Sequence, residues 1–236
     1  MNALKILIIV TSHAVMGNSG EPTGLWLEEL TTPYYTFVDA GASVTVASVE
    51  GGVIPIDPRS KKPMGENSAS VDRFLQDSFF LAEANNTQAI DDMSADEYDA
   101  VFLPGGHGTM WDFPNSEPLA NTISQAYAKD IIVAAVCHGT AGFIGATKPD
   151  GSPLVEGLQI SSFTNAEENA AELSDTVPFM LETKLRKLGA NFQSADNFQP
   201  FVVQNDNVIT GQNPASSSLV ANKILEALEK KVTVQK

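Results

Sequence analysis

The sequence predicts an α/β fold in which a mostly parallel sheet carries helices on both faces. Short apolar runs rich in β-branched residues alternate along the chain with segments of helical period, a pattern typical of such a sheet. With 236 residues, of which 43% are hydrophobic, the chain is also long enough to bury a substantial core without disulfides or metals.

The strands and helices follow from local signals. Four runs predict strands, at residues 5–11, 43–48, 99–103 and 130–136, and shorter runs predict three more, at 159–163, 200–203 and 207–210. The last two flank Asn205-Asp206, a turn signal that indicates a hairpin. Ser116 predicts a helix N-cap, Asn213-Pro214 predicts the start of the C-terminal helix, and Leu30 to Val38 give an apolar helix face around Pro33.

We expect one domain over residues 1–236, with an insertion at about 51–95. That stretch is long and mixed, and it contains three prolines before a predicted helix at 71–81. A connection of this length in a compact domain usually covers a functional site.

Charge and cysteine content exclude several classes of protein. The net charge of −15 argues against nucleic acid or an anionic membrane as a partner. One cysteine cannot form an internal disulfide, and the apolar start is too short for a membrane span and lacks the order of a signal peptide. We therefore expect a cytoplasmic protein.

Cys137 is the main candidate for chemistry. A predicted strand leads directly into it and Gly139 follows two residues later, where a helix should begin, as in a nucleophile elbow. The start of such a helix should favour the thiolate over the thiol. The alternative is that Cys137 is a small buried hydrophobe, which is the usual fate of a free cysteine.

Two neighbouring features favour the catalytic interpretation. His138, directly after the cysteine, can hold the base position of a Cys–His pair. The loop Pro104-Gly105-Gly106-His107-Gly108 ends the preceding strand, and its backbone amides could complete an oxyanion hole. An ordinary strand-end turn is the alternative for this loop.

Four glutamates could supply the acid of a triad. Glu28 and Glu29 follow the first strand, and Glu167 and Glu168 follow the strand predicted at 159–163. A solvated surface charge is the alternative for each, and it is favoured for Glu28 and Glu167. The residues themselves do not choose among the four.

The remaining histidines do not predict a metal site. His13 and His107 have no ligand spacing with each other or with a cysteine, and we expect both to be polar loop residues near the rim of a pocket.

The motifs taken together resemble the ThiJ/PfpI superfamily, in the branch of glutathione-independent glyoxalases and heat-shock chaperones. The resemblance rests on residues 135–139 (AVCHG), on the glycine loop at 104–108, and on residues 23–29 (TGLWLEE), and it extends to 211–216 (GQNPAS). It implies a three-layer flavodoxin-like sandwich of the class I glutamine amidotransferase type.

The resemblance also implies a site. Cys137 becomes the nucleophile and His138 its partner. Glu29 corresponds to the family acid beside the sulfur, because it lies four residues before Pro33, and Glu168 corresponds to the triad acid, because it follows Phe163-Thr164 at the family spacing. Gly105, Gly106 and His107 form the oxyanion and substrate-binding loop. Some chaperone members hold a metal with histidines and an acid, but this sequence shows no matching cluster.

The activity implied is that of a glyoxalase III-type lyase, also called D-lactate dehydratase. It would convert methylglyoxal or a similar 2-oxoaldehyde to the 2-hydroxy acid through a cysteine hemithioacetal, without cofactor, metal or glutathione. A holding chaperone is one alternative, for which Phe74, Phe79 and Phe80 are the only hint. A cysteine peptidase or amidase on the same scaffold is another. The sequence leaves open whether the protein is a homodimer and whether Cys137 is a redox sensor.

Overall fold

The computed structural model describes residues 3–234, which form a central sheet between two layers of helices. The strands are β1 (Lys5–Val10), β2 (Ser43–Ser48), β3 (Gln88–Ala89), β4 (Ala100–Leu103), β5 (Ile132–Val136), β6 (Gln159–Ile160), β7 (Asn191–Phe192), β8 (Val202–Asn205) and β9 (Val208–Gly211). The helices are α1 (Leu27–Asp39), α2 (Ala69–Phe74), α3 (Ser78–Ala84), α4 (Thr109–Asp112), α5 (Glu117–Ala128), α6 (Asn165–Ala170), α7 (Leu181–Lys187) and α8 (Ser217–Val234).

The central sheet has seven strands in the order β3-β2-β1-β4-β5-β9-β8. All pairings are parallel except that of β8 with β9, which is the predicted hairpin. The strand order reverses between β1 and β4, and ligands of open α/β sheets bind at the carboxyl ends of strands beside such a reversal. The predicted three-layer α/β class is confirmed.

Each face of the sheet has its own core because side chains alternate along a strand. In β1, Ile6, Ile8 and Val10 pack with α1 and α8 on one face. Leu7 and Ile9 pack with α5 and α7 on the other face. All five side chains are fully buried, as expected of a strand covered on both sides.

The predicted cap at Ser116 is confirmed, whereas Asn213-Pro214 begins a 3-10 turn, Pro214–Ser216, that leads into α8. The predicted strand at 159–163 and the predicted helix at 71–81 are wrong in extent. Ser116 accepts a hydrogen bond from the Leu119 amide at the start of α5. The strand predicted at 159–163 is only two residues long and pairs with β7 in a separate sheet. The helix predicted at 71–81 is divided into α2 and α3, because the Asp77 side chain caps a new helix by accepting from the Phe80 amide.

The segment 51–95 crosses the edge of the sheet and contains α2, α3, β3 and a 3-10 turn at Pro58–Ser60. Asp57 caps that turn, and Arg59 within it lines a mostly apolar cavity that also contains Cys137. The division of residues 1–236 into one domain with an insertion stays a prediction. Among the described residues, no helix combines the length and the apolar character needed to cross a membrane.

Candidate active site

Cys137 lies on a strained turn directly after β5. Its φ is +57°, a left-handed conformation that costs a non-glycine residue about 1–2 kcal/mol. The turn continues as a 3-10 helix, Cys137–Phe143, rather than the predicted α-helix. The thiol is 3% exposed and lines a cavity of about 320 Å³. The predicted elbow is present, with its side chain directed into a pocket.

His138 connects the thiol to Glu168. Its Nδ1 lies 3.2 Å from Cys137 Sγ, and its Nε2 lies 2.7 Å from Glu168 Oε2. Glu168 is held in the first turn of α6, whose N-terminus is closed by a capping box between Thr164 and Glu167. The structure therefore brings Cys137, His138 and Glu168 into one hydrogen-bonded chain.

His107 donates to the same carboxylate, which corrects the expectation of a polar residue at the pocket rim. Its Nε2 lies 2.7 Å from Glu168 Oε1, and the residue is 5% exposed. Burial and the neighbouring His138 lower the pKa of His107 to about 4, so this imidazole is neutral at pH 7. Its partner lies 61 positions further along the chain, a separation that no local spacing can reveal.

Glu168 is an anion in this arrangement. Burial opposes its ionisation, but the imidazoles of His138 and His107 outweigh burial and hold the pKa of the carboxyl well below its usual range. Because Glu168 can only accept, both histidines must carry hydrogen on Nε2.

Glu29 approaches the sulfur from α1 and is fully buried. Its Oε2 accepts a hydrogen bond of 2.7 Å from the Gly105 amide. The Cys137 thiol also interacts with this carboxyl, and Oε1 has no hydrogen-bond partner among the described residues. Burial raises the pKa of Glu29 to about 8, so the acid is mostly protonated at pH 7.

The expectation of a lowered thiol pKa is wrong for the resting site. Burial, followed by the adjacent Glu29, raises the pKa of Cys137 well above its ordinary value. The turn is a short 3-10 segment, and its dipole does not compensate for the loss of water around the sulfur. The thiol proton must therefore pass to a base during reaction, and His138 Nδ1 is within reach.

The glycine loop after β4 packs closely against two other backbone segments, one at His138 and one at Gly24. A Cβ on Gly105 would lie 2.7 Å from the His138 nitrogen, and Gly106 has a φ of +104° with the Gly24 carbonyl against it. Only glycine fits at either position. Since the Gly105 amide is bound to Glu29, it is not free to serve as the predicted oxyanion donor. This leaves Gly106 and His107, which both line the cavity, as the predicted oxyanion and substrate-binding residues of that loop.

Glu167 is not the solvated charge that the sequence favoured. It is fully buried, and its Oε1 accepts from the Phe198 amide and from the side chains of Gln212 and Asn213. Its Oε2 accepts from the Thr164 amide. These donors come from segments far apart in the sequence, so local pattern could not reveal them. Glu28 is partly exposed, in line with expectation.

Arg59 and Phe198 also line the cavity and were not identified from the sequence. Arg59 pairs with the buried Asp57 through Nε at 2.9 Å and Nη2 at 2.5 Å. The Asp57-Pro58 pair, a cap followed by proline, was a usable signal for an ordered turn here. Phe198 is 50% exposed with a φ of +60°, and nothing in its neighbourhood of the sequence marks it.

Three buried side chains of the kinds that bind metals lie close together: His107, His138 and Glu168. This corrects the expectation that no such cluster exists. Their ligand atoms all lie within 4.8 Å of one another. Each Nε2 is only 2.7 Å from a Glu168 oxygen, whereas two ligands on a tetrahedral zinc lie about 3.3 Å apart, given zinc–ligand bonds of about 2.0–2.2 Å. The spacing is that of N–H···O hydrogen bonds, and in this arrangement the three side chains do not fit a metal ion.

Comparison with known proteins places the chain in a family. The model of the DJ-1/PfpI family matches residues 23–227. A glutathione-independent glyoxalase of Saccharomyces cerevisiae is 31% identical over 233 residues, which cover 95% of this chain and 98% of that protein.

Solved structures agree with that placement. A 24 kDa rapid encystment protein of Francisella tularensis is 40% identical, with a TM-score of 0.91 over 95% of this chain and 99% of that one. Glyoxalase III of Candida albicans is 28% identical, with a TM-score of 0.86 over 95% of this chain and 97% of that one. As its cysteine and glycine motifs predict, the chain belongs to the DJ-1/PfpI family.

Proposed function

We propose that the protein is a glutathione-independent glyoxalase that converts methylglyoxal or a similar 2-oxoaldehyde to the 2-hydroxy acid, D-lactate in the case of methylglyoxal. One observation carries the proposal. The cavity holds a thiol joined to a base and a fixed anion on one side, and a buried, protonated carboxyl on the other. Its volume of about 320 Å³ suits a small molecule.

The first step is addition of the thiol to the aldehyde. Cys137 Sγ forms a bond to the aldehyde carbon while His138 Nδ1 accepts the thiol proton. The resulting imidazolium is stabilised by Glu168 at 2.7 Å and returns the proton to the former aldehyde oxygen. The product of this step is a neutral hemithioacetal.

The second step moves a hydrogen between adjacent carbons. Glu29, as carboxylate, takes the proton from the carbon bonded to sulfur and returns it to the neighbouring carbon, through an enediol-like intermediate, while the hydroxyl hydrogen moves from the first oxygen to the second. A base with a pKa near 8 is well matched to this work close to neutral pH. The result is a thioester of the 2-hydroxy acid, which water hydrolyses with His138 as base, so that the thiol is released.

The relatives support this chemistry by name, since those of Saccharomyces cerevisiae and Candida albicans are called glyoxalases. The chaperone alternative finds less support, because Phe74 and Phe80 are buried in the core and only Phe79 is exposed. The single cysteine supports the proposal of a cytoplasmic protein. Assembly as a homodimer stays a prediction.

The test is D-lactate formation from methylglyoxal by the purified protein without glutathione. We expect turnover by the wild type and none above background by Cys137→Ala, because the covalent intermediate cannot form. Glu28→Gln, on the partly exposed neighbour of Glu29, serves as the control and should keep wild-type turnover. Equal lactate formation by Cys137→Ala and the wild type, or no formation by either, contradicts the proposal.

A further inference from the structure

Glu168 fixes the protonation of two histidines, not one. Oε2 binds Nε2 of His138 and Oε1 binds Nε2 of His107, each at 2.7 Å. The two rings lie 4.1 Å apart between centroids, and both line the cavity beside Cys137. Because His107 is neutral and carries its hydrogen on Nε2, its ring presents a lone pair on Nδ1.

The two Nδ1 atoms have different surroundings. Nδ1 of His138 lies 3.2 Å from the sulfur and is engaged with the thiol. Nδ1 of His107 lies 3.4 Å from Arg59 Nη2, a long contact with a group that is already bound to Asp57 at 2.5 Å. The His107 nitrogen is therefore weakly engaged, and the arginine charge beside it opposes a lasting positive charge on the ring.

The proposed reaction needs a second proton carrier. Between the hemithioacetal and the thioester, one hydrogen moves from carbon to carbon and another moves from the first oxygen to the second. Glu29 accounts for the hydrogen on carbon. His138 delivers a proton to the first oxygen during the addition step, but no group is yet assigned to the transfer of that hydrogen from the first oxygen to the second.

We propose that His107 carries the proton between the two oxygens of the substrate, an inference that rests on the proposed glyoxalase activity. In the enediolate, Nδ1 takes the proton from the oxygen on the sulfur-bearing carbon, and Glu168 stabilises the imidazolium through Nε2–H. Nδ1 then gives the same proton to the second oxygen. The electron pair left on the first oxygen forms the thioester carbonyl, and the carbon–carbon π pair takes up the proton held by Glu29. No oxidant or reductant enters, and His107 ends neutral.

The test compares two variants of His107. The side chain of His107→Gln keeps an N–H that can donate to Glu168, but it cannot take up and release a proton. His107→Ala leaves a space that added imidazole can enter. We expect kcat to fall by about a hundredfold or more in both, as is typical for loss of a general acid–base, with KM changed only a few fold. Added imidazole should restore turnover to His107→Ala. His13→Ala, on a histidine stacked against Trp111 outside the cavity, is the matched control and should keep wild-type kcat without any response to imidazole.

A second measurement does not depend on any variant being active. The chain has three histidines, so the nitrogen NMR spectrum of the histidine-labelled wild type is simple to assign. We expect His107 at pH 7 to be neutral, with hydrogen on Nε2 and a bare Nδ1. Wild-type kcat in His107→Gln, or hydrogen on Nδ1 in the spectrum, overturns the inference while leaving the glyoxalase proposal intact. Absence of lactate from the wild type overturns the glyoxalase proposal itself.

Discussion

The cavity has two sides, and each presents a buried glutamate in an opposite state. Glu29 is fully buried and Glu168 is 3% exposed, yet burial raises the pKa of Glu29 to about 8, whereas the pKa of Glu168 lies well below its usual range. Glu29 receives one backbone N–H and no cation, while Glu168 receives an imidazole on each oxygen. Burial alone therefore does not set the state of a carboxyl; the donors around it do.

The difference separates two tasks within one small site. On the Glu29 side the carboxyl can gain and lose a proton near neutral pH, as a group that moves hydrogen must. On the Glu168 side the charge is fixed, so it can orient imidazoles and stabilise them when they become positive. Pairs of titratable groups with pKa values driven apart in this way are typical of acid–base sites.

The largest effect is expected from removing the fixed charge. In Glu168→Gln the amide no longer stabilises an imidazolium at either histidine, and it can donate to a ring nitrogen and so favour the wrong tautomer. We expect kcat/KM for methylglyoxal to fall by about three orders of magnitude or more. Steady-state kinetics beside Glu28→Gln measure it, and a loss below tenfold would show that the two sides do not divide the tasks as described.

A smaller effect concerns stability: neutralising Glu29 is expected to stabilise the folded protein. Glu29 has its pKa raised from 4.5 to about 8, so between these values the unfolded state releases a proton that the folded state keeps. The wild type therefore loses stability as pH rises through this window, and at pH 7 the cost is on the order of 3 kcal/mol.

Glu29→Gln should accordingly raise the free energy of unfolding by up to that amount at pH 7, and the gain should vanish near pH 4.5. The amide oxygen can still accept from Gly105. Glu168→Gln should lower the free energy of unfolding at the same pH, because it removes an anion stabilised by the fold. Urea unfolding of both variants and the wild type at pH 4.5 and pH 7 provides the comparison. A change of the same sign in the free energy of unfolding of both variants at pH 7 would contradict this prediction.

The smallest effect concerns pH and rate. If the Glu29 carboxylate is the base, its ionised fraction rises from about one tenth at pH 7 to about nine tenths at pH 9, and kcat/KM should rise roughly tenfold over that range. Alkylation of Cys137 by iodoacetamide should continue to accelerate above pH 9, because burial raises the pKa of the thiol further. A flat rate profile from pH 7 to pH 9 would remove Glu29 from this role.

Local pattern was sufficient for the sheet and for part of the site. The runs at β1, β2, β4 and β5, the cap of α5 and the turn at Pro214–Ser216 before α8 depend on residues within a few positions of one another. The Cys137–His138 pair is likewise adjacent in the chain. These features could be read from the sequence because the forces that produce them act between sequence neighbours.

What the sequence missed depends on contacts between distant segments. Glu167 and Glu168 are neighbours on α6, but their donors come from different segments. Glu167 accepts hydrogen bonds from residue 198 and residues 212–213, whereas Glu168 accepts them from His107 and His138. The family spacing selected Glu168, whereas nothing local indicated that Glu167 is buried. Arg59 likewise reaches the cavity only because Asp57 holds the turn at Pro58–Ser60.

Glu167 also has a consequence for motion. One of its oxygens accepts from the Thr164 amide at the start of α6, and the other accepts from the Phe198 amide at the cavity wall. Withdrawing the Phe198 segment would remove one of the three donors to Oε1 of this fully buried carboxylate, which also closes the first turn that carries Glu168. Glu167 thus links the backbone at Phe198 to the turn that carries Glu168, and we expect the two segments to be ordered together.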